Sequence, residues 1–196
     1  MTSPATRTKS TTPARLDIVA LDAEVNELAR RTNRLFDFYY GRPLANLADV
    51  EAAERTLAEI EPDPDQIATV RAAMAQGLAP ASRQEISQHL ALLIGAFPTP
   101  VQASDPAVYS RMMVEDCVAA RPSRLAIEST CTKLRRSLKW PPAISEVLET
   151  LDEEQRRWTI WAGRLPDYAE QHRRAVEGVQ RQREQIEAFG PRGGQR

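Results

Sequence analysis

Apolar residues recur at helical spacing along most of this chain, and a proline or glycine ends nearly every such run. The first run covers residues 16–40, where one set of side chains repeats at alternating steps of four and three: Leu21, Val25, Leu28, Thr32, Leu35 and Tyr39. That spacing places these side chains on one face of an α-helix. Gly41 and Pro43 then end the helix, because glycine accepts a left-handed backbone and proline cannot continue the hydrogen-bond ladder.

The composition favours helices over sheets. Aromatic residues make up only 6% of the 196 residues, so a core has to be built from Leu, Ile, Val and Ala. β-Sandwiches draw more heavily on aromatic and β-branched residues. We therefore predict an all-α fold: a small multi-helix bundle with an N-terminal amphipathic, coiled-coil-like helix and a loosely ordered C-terminal helix.

Proline-rich turns and capping residues divide the chain into four predicted segments. Residues 1–14 lack periodicity and are predicted to be disordered, and residues 15–78 form the amphipathic helix and an acidic helical hairpin. Residues 82–163 form a helical core module, which opens with a capping box between Ser82 and Glu85 and has further caps at Ser104 or Asp105 and at Ser123. Residues 164–196 carry few apolar positions, which predicts a polar, frayed helix or a flexible tail.

The predicted buried face of the 105–120 helix consists of Val108, Tyr109, Met112, Met113 and Cys117.

The heptad-like face of residues 16–40 has two interpretations. An amphipathic helix of this kind docks on its own domain, or it pairs with a second chain, since about three heptads are near the lower limit for a coiled coil. In the second interpretation the protein is a homodimer through residues 16–40. Its oligomer seam would then consist of Leu21, Val25, Leu28, Leu35 and Tyr39.

The sequence lacks the common motifs that carry chemistry. It has no phosphate-binding GxxxxGK(S/T) loop, no GxGxxG, HExxH or GxSxG motif and no EF-hand loop. His89 and His172 fall in different predicted helices, with His89 half-buried and His172 expected in solvent. Cys117 and Cys131 lack CxxC spacing and are predicted to be buried and reduced. We expect a non-enzymatic protein with no catalytic, cofactor-binding or metal site.

Charge and hydropathy bear on the cellular compartment and on the kinds of partner expected for this protein. The formal net charge is −1, so no bulk electrostatic attraction draws the chain to nucleic acid or membrane. No stretch approaches the roughly 18–20 apolar residues that a membrane helix needs. The basic N-terminal residues are not followed by the apolar stretch of a secretory signal. We therefore expect a cytoplasmic protein without a membrane partner.

Positive charge is concentrated in residues 121–140, which contain one acidic residue, Glu128. Cations near the end of a helix stabilise its macrodipole, so a structural interpretation stands beside a functional one. The functional interpretation is a small surface for a protein partner or nucleic acid, able to cover only a few phosphates, so its DNA binding would be weak and salt-sensitive. The predicted contact residues are Arg121, Arg124, Lys133, Arg135, Arg136, Lys139 and Trp140.

Trp140 opens a Trp-Pro-Pro turn that ends the basic helix. The two prolines restrict the backbone and so preset the angle between this helix and the next. We expect Trp140 to fill the junction between the two helices as a buried plug. The alternative is an exposed contact residue.

Three short motifs lie in order within residues 88–151. LLIGAFP at 92–98 ends an apolar helix in an aromatic-proline pair, Tyr109 and Met113 lie on the next helix, and PPAISEV at 141–147 follows the basic segment. This arrangement resembles the small helical module of bacteriophage replicative-helicase loaders, the loader-and-inhibitor family, in which an aromatic-Pro-Pro-x-Ile-x-Glu turn leads into the final helix. The residues before Ser82 have no counterpart in that module, and Tyr109 or Met112 stands where the family has a tryptophan.

The resemblance implies a replication accessory protein, from a phage or prophage, that binds a DnaB-type replicative helicase and holds or delivers it at an origin. It also implies that residues 166–196 correspond to the flexible C-terminal part with which the family engages the helicase. The residues alone leave two other functions open. One is a structural or regulatory protein acting through a coiled coil of residues 16–40, and the other is a weak DNA-binding regulator using residues 121–140.

Overall fold

The computed structural model describes residues 17–40, 44–98 and 105–190, apart from the side chains at positions 36, 37, 39 and 40. The predicted disordered residues 1–14 and the helix stop at Gly41 and Pro43 lie outside these ranges. The all-α prediction is confirmed, since the described residues form eight α-helices and a 3₁₀ turn, Leu165–Asp167, between the last two. The helices are α1 (Ile18–Tyr40), α2 (Leu47–Glu59), α3 (Pro64–Gly77), α4 (Arg83–Gly95), α5 (Pro106–Ala119), α6 (Arg124–Ser137), α7 (Ile144–Arg164) and α8 (Tyr168–Phe189).

Capping side chains set where several helices begin. Oxygen atoms of Asp63, Ser82, Asp105 and Ser123 accept hydrogen bonds from backbone amides in the first turns of α3, α4, α5 and α6. The predicted capping box is confirmed: the Glu85 amide donates to Ser82 Oγ at 3.2 Å, and the Ser82 amide donates to Glu85 Oε2 at 2.7 Å. Because the Glu85 carboxylate accepts hydrogen bonds from the Ser82 amide and from the Ser82 hydroxyl, its pKa lies below the usual range.

Helices from both ends of the chain build a first hydrophobic cluster. α1, α2, α3 and α8 pack together with the C-terminal half of α7. Val25, Leu28, Val50 and Trp158 are fully buried there. The N-terminal helices therefore complete their core with residues that lie more than a hundred positions further along the chain.

The predicted oligomer seam lies inside this first cluster. Its four members with described side chains are at most 5% exposed: Leu21, Val25, Leu28 and Leu35. The side chain of Tyr39 lies outside the described residues. Side chains that pack against α3 and α8 of their own chain cannot line a homodimer interface unless the core opens. The coiled-coil interpretation is therefore corrected to an amphipathic helix that docks on its own domain.

The C-terminal segment differs most from its prediction. α8 is not a frayed, solvent-exposed helix but packs along α2 and α1. The Tyr168 hydroxyl donates to the Ile60 carbonyl, and His172 Nε2 lies 2.9 Å from the Leu57 carbonyl oxygen. His172, expected in solvent, is buried. Sparse apolar positions suffice because one stripe of α8 faces the core. That stripe consists of Tyr168, His172, Ala175, Val179 and Ile186.

Charges also tie α8 and α1 to the acidic helical hairpin. Arg183 Nη2 lies 2.6 Å from Glu54 Oε2, and Arg34 Nη1 lies 3.6 Å from Glu59 Oε2. Arg183 of α8 thus has its acidic partner on α2, whereas Arg173 and Arg174 pair with glutamates of α8 itself. Water screens such exposed pairs, so they orient the helices more than they stabilise them.

A second hydrophobic cluster is built from α4, α5, α6 and the N-terminal half of α7, with Leu93, Met113, Ile127 and Val147 fully buried. α6 and α7 belong to both clusters, and Leu125 of α6 lies in the first. The predicted module of residues 82–163 therefore contains the second cluster and also part of the first.

Candidate interaction site

The residues predicted from the basic segment do not form one continuous patch. Arg121 follows the end of α5 in a left-handed backbone conformation with φ 49°, and Arg124 begins α6. Arg135 lies near the other end of α6, roughly 16 Å from Arg124 at 1.5 Å per residue. Arg121 and Arg124 are therefore separated from the Trp-Pro-Pro turn by most of the helix.

Two of the predicted contact residues form ion pairs within the chain. Arg124 Nε lies 3.0 Å from Glu85 Oε1 on α4. Lys133 Nζ lies 3.0 Å from Glu153 Oε2 and 3.4 Å from Glu154 Oε1 on α7. The hydrogen bond to Glu153, followed by the charges of both glutamates, raises the pKa of Lys133. Both cations join helices of this protein, so we no longer assign them to a partner.

Three predicted cations remain at the C-terminal end of α6. Arg135, Arg136 and Lys139 are exposed, and no acidic side chain within the described ranges lies at ion-pair distance from them. Arg136 also lines a groove of about 420 Å³ between α1, α6 and α7. Arg135 and Arg136 lie in the last turn of the helix, where cations stabilise the macrodipole.

Trp140 is 61% exposed, so the prediction that it plugs the helix junction is wrong. The tryptophan that lies deep in the core is Trp158, whose Nε1 donates to Ser129 Oγ at 3.1 Å. Trp140 instead fits the alternative of an exposed contact residue. It follows Lys139 directly, and Arg135 and Arg136 lie four to five positions before it in the sequence.

Contacts from α5 and α7 hold the Trp-Pro-Pro turn without the indole of Trp140. The Tyr109 hydroxyl donates to the carbonyl of Pro142, which is itself buried. The Ala143 amide donates to Glu146 Oε2 at 2.6 Å. These bonds satisfy the backbone where α7 begins, and neither of them involves the indole of Trp140.

The outer face of α5 is more exposed than predicted. Met113 and Cys117 are fully buried, but Val108 is 37% and Met112 is 52% exposed. Met113 and Cys117 are one helical turn apart and share the stripe that faces the core, whereas Met112 is rotated away by about 100°. Val108 and Met112 are therefore corrected from buried residues to surface residues.

The cysteines and His89 lie where the sequence predicts. Burial raises the pKa of Cys117 to about 11 and that of Cys131 to about 12, so both thiols are protonated and unreactive at neutral pH. His89 is half-buried, with Nε2 3.8 Å from Glu128 Oε2. Among the residues that the structure describes, no group of three His, Cys, Asp or Glu side chains is arranged to hold a metal ion.

An ion network between α1, α6 and α7 was not predicted from the sequence. Glu154 is only 5% exposed and accepts a hydrogen bond from Arg157 Nε at 2.9 Å. Arg157 Nη1 also lies 2.5 Å from Asp22 Oδ1, and Lys133 completes the network. The i,i+3 spacing of Glu154 and Arg157 is the one local signal of this network. The ion pair between Arg157 and Asp22 joins residues far apart in the sequence, so only the tertiary structure reveals it.

The fold and surface define an all-α protein with two hydrophobic clusters and an exposed aromatic-basic turn. Comparison with known protein families, with curated proteins and with solved structures found no match to this chain. Across the described residues, no helix has the length and apolar character needed to cross a membrane. A functional proposal therefore depends on the geometry of the chain and on the short resemblance in residues 88–151.

Proposed function

We propose that this protein is a non-enzymatic replication accessory protein that binds a DnaB-type replicative helicase, like the phage helicase loaders that residues 88–151 resemble. The observation that carries the proposal is the exposure of Trp140 at the turn on which the resemblance centres. Exposed tryptophan and arginine side chains are the residue types that most often dominate binding energy at protein interfaces.

The packing of the resembling segment supports the proposal. Leu93 of LLIGAFP and Val147 of PPAISEV are fully buried in the second hydrophobic cluster, and Phe97 and Ile144 pack at its edge. The shared apolar positions thus belong to the core of one helical unit. Residues that bind a partner must then be sought among the exposed positions of the same unit.

The ordered C-terminal helix changes which part of the chain we assign to the partner. The resemblance implies a flexible helicase-binding part at residues 166–196, but Tyr168–Phe189 is the helix α8, docked on α2. A contact through α8 would use its outer face only. We therefore assign the helicase contact to the C-terminal end of α6 and the Trp-Pro-Pro turn.

Binding to a purified DnaB-type hexamer tests the proposal directly. The full-length protein should shift the elution of the helicase in gel filtration and change its ATPase rate. Trp140→Ala should weaken the complex by roughly tenfold or more. Leu92→Ala removes another largely exposed apolar side chain of the same unit and serves as the matched control. Failure of the wild-type protein to form a complex in gel filtration and pull-down would refute the helicase assignment.

Direct DNA contact is a second candidate function, favoured by the exposure of Trp140 near three cations that pair with no acidic side chain of the described ranges. Bases stack on aromatic side chains while cations contact phosphates. Three cations predict a shallow dependence of affinity on salt, with a slope of roughly −2 in log–log form for a single strand. Binding that is unchanged in the Arg135→Ala/Arg136→Ala double variant would remove this candidate. We do not propose the coiled-coil function, since the four seam side chains that the structure describes are buried against the chain's own helices.

A further inference from the structure

A groove of about 420 Å³ lies between the first turn of α1, the part of α6 from Ser129 to Ser137, and the middle of α7. We name it the α1–α6–α7 groove. The segment of α6 that lines it is about 12 Å long, at 1.5 Å per residue. Ile18 and Val19 supply its apolar wall, and Ile18 is buried whereas Val19 is 56% exposed. The groove therefore brings an uncovered apolar side chain and several polar ones onto one concave surface.

The charged side chains that line the groove pair with one another, with one exception. Arg157 Nη2 lies 2.8 Å from Glu154 Oε2, and Arg157 Nη1 lies 2.5 Å from Asp22 Oδ1. Lys133 Nζ lies 3.4 Å from Glu154 Oε1. Both acidic side chains of the lining thus have a cation. Arg136 is the one charged side chain of the lining that has no ion-pair partner among the described residues.

Arg136 and Thr132 together form a place for a carboxylate inside the groove. The two residues are four positions apart on α6, so their side chains are neighbours on the face that lines the groove. A guanidinium donates two parallel hydrogen bonds to a carboxylate, and a threonine hydroxyl donates a further one. The exposed methyl groups of Val19 line the same groove, where an apolar side chain would remove them from water.

We propose that the α1–α6–α7 groove binds a short segment of a partner protein in which an acidic residue lies close to an apolar residue. The carboxylate pairs with Arg136 and the apolar side chain covers Val19. Three or four residues of extended chain, at about 3.3 Å each, span the length of the groove. This inference deepens the proposed function and rests on its assignment of the partner contact to the C-terminal end of α6, to which Arg136 belongs.

The charge balance of the groove favours a segment with a single carboxylate over a nucleic acid. Lys133 also pairs with Glu153, at 3.0 Å, just outside the lining. With Glu153 included, three acidic side chains and three cations lie in or beside the groove, so their charges cancel. A nucleic acid strand carries a negative charge at every phosphate, and only the phosphate at Arg136 would meet an unpaired cation.

The exposure of the groove favours a protein segment over a small molecule. Val19, Arg136 and Ser137 are all exposed, so the groove is open to solvent on one side. Small-molecule sites enclose most of the surface of their ligand. A peptide in an open groove leaves its outer side in solvent or in contact with the rest of its own protein.

Selection from a display library of random linear peptides tests the groove without requiring any helicase. The immobilised full-length protein is the bait, and the Arg136→Gln and Val19→Ala variants are used in parallel. Both side chains are exposed, so neither change opens the core. Arg135→Gln is the matched control, because Arg135 is exposed and lies in the same turn of α6 but does not line the groove.

The expected result is a set of peptides that carry an acidic residue close to an apolar one. Their affinity, measured by isothermal titration calorimetry, should fall roughly fivefold or more in Arg136→Gln and in Val19→Ala. It should not change in Arg135→Gln. Replacing the acidic residue of a selected peptide with its amide should weaken binding to the wild type, but not to Arg136→Gln, because the two groups act as a pair.

Four results would overturn the inference. The first is the absence of enriched peptides, and the second is enrichment only of peptides that bind Arg136→Gln as well as the wild type. The third is an equal loss of affinity in Arg135→Gln and Arg136→Gln, which would indicate a diffuse basic surface. The fourth is tighter binding of oligothymidylate than of any selected peptide, with that binding lost in Arg136→Gln.

The same variants separate this inference from the proposed function. A helicase complex that forms equally well with Arg136→Gln and Val19→Ala would overturn the groove as the partner site and leave the helicase assignment in place. Selected peptides that depend on Arg136, from a protein that binds no helicase, would support the groove and refute only the helicase assignment.

Discussion

Thr130 offers a direct test of the packing of α6, the helix that joins the two clusters. The residue is completely buried, and its hydroxyl has no hydrogen-bond partner among the described residues. A buried polar group without a partner costs about 1–3 kcal/mol. Thr130→Val replaces the hydroxyl with a methyl group of similar size, and the two residues have similar helix propensities. We expect the free energy of unfolding to rise by about 1 kcal/mol, which corresponds to about 2–4 °C in Tm for a chain of this length.

Thr32→Val is the matched control for this substitution. Thr32 is also buried within a helix, but its hydroxyl donates to the Leu28 carbonyl at 2.8 Å. Replacing it removes a hydrogen bond with a net value of about 0.5–1.5 kcal/mol, which burial of the new methyl group partly offsets. Thr32→Val should therefore leave stability unchanged or lower it, in contrast to Thr130→Val.

Urea and thermal unfolding followed by far-UV circular dichroism measure both changes. The test compares the changes in unfolding free energy that the two substitutions cause. We expect the change for Thr130→Val to be more stabilising than that for Thr32→Val by about 1 kcal/mol or more. Equal effects of the two substitutions, or a loss of stability in Thr130→Val, would show that the hydroxyl of Thr130 is satisfied and would refute the reasoning.

Three further perturbations test other parts of the fold. Gly163→Ala should raise the free energy of unfolding by about 0.5–1 kcal/mol in urea titrations, because an added Cβ meets nothing within 4 Å and alanine favours the helix; a loss of stability would contradict the open environment. A chain ending at residue 165 lacks α8 and should lose the cooperative thermal transition of the first cluster, whereas an unchanged Tm would mean that α8 is a dispensable tail. Tyr168→Phe should lower stability at pH 7 by about 1–3 kcal/mol, because the buried carbonyl of Ile60 loses its donor. Burial raises the pKa of Tyr168 to about 12, above about 10 for the unfolded chain, so its contribution is complete below pH 10 and disappears as the pH rises through 12. Alkaline unfolding curves of Tyr168→Phe should therefore fall less steeply between pH 10 and 12 than those of the wild type, and identical slopes would contradict the assigned burial.

Local sequence patterns were sufficient to predict the positions of the helices and the fold class. Helix hydrogen bonds join residues four positions apart, and capping bonds join residues within three, so their signals lie inside short windows. The capping box at Ser82 and Glu85 and the cap at Ser123 were predicted correctly for this reason, and the cap of α5, predicted at Ser104 or Asp105, is Asp105. The burial of Met113 and Cys117 followed from the same helical periodicity.

The tertiary structure decided which apolar and charged faces remained available to a partner. A heptad-like stripe has the same pattern whether it meets another chain or the chain's own helices, and here it meets α3 and α8. The Tyr168–Ile60 hydrogen bond and the Arg157–Asp22 ion pair join residues 108 and 135 positions apart, beyond any local window.

Trp140 shows the same division between local and tertiary information. The sequence determined that a Trp-Pro-Pro turn ends a basic helix, because proline restricts the backbone wherever it occurs. Only the tertiary structure decided that Tyr109 of α5 meets the Pro142 carbonyl and that the indole lies on the surface. The physical reason is that burial depends on which other helices pack against a residue, and distant parts of the chain supply those helices.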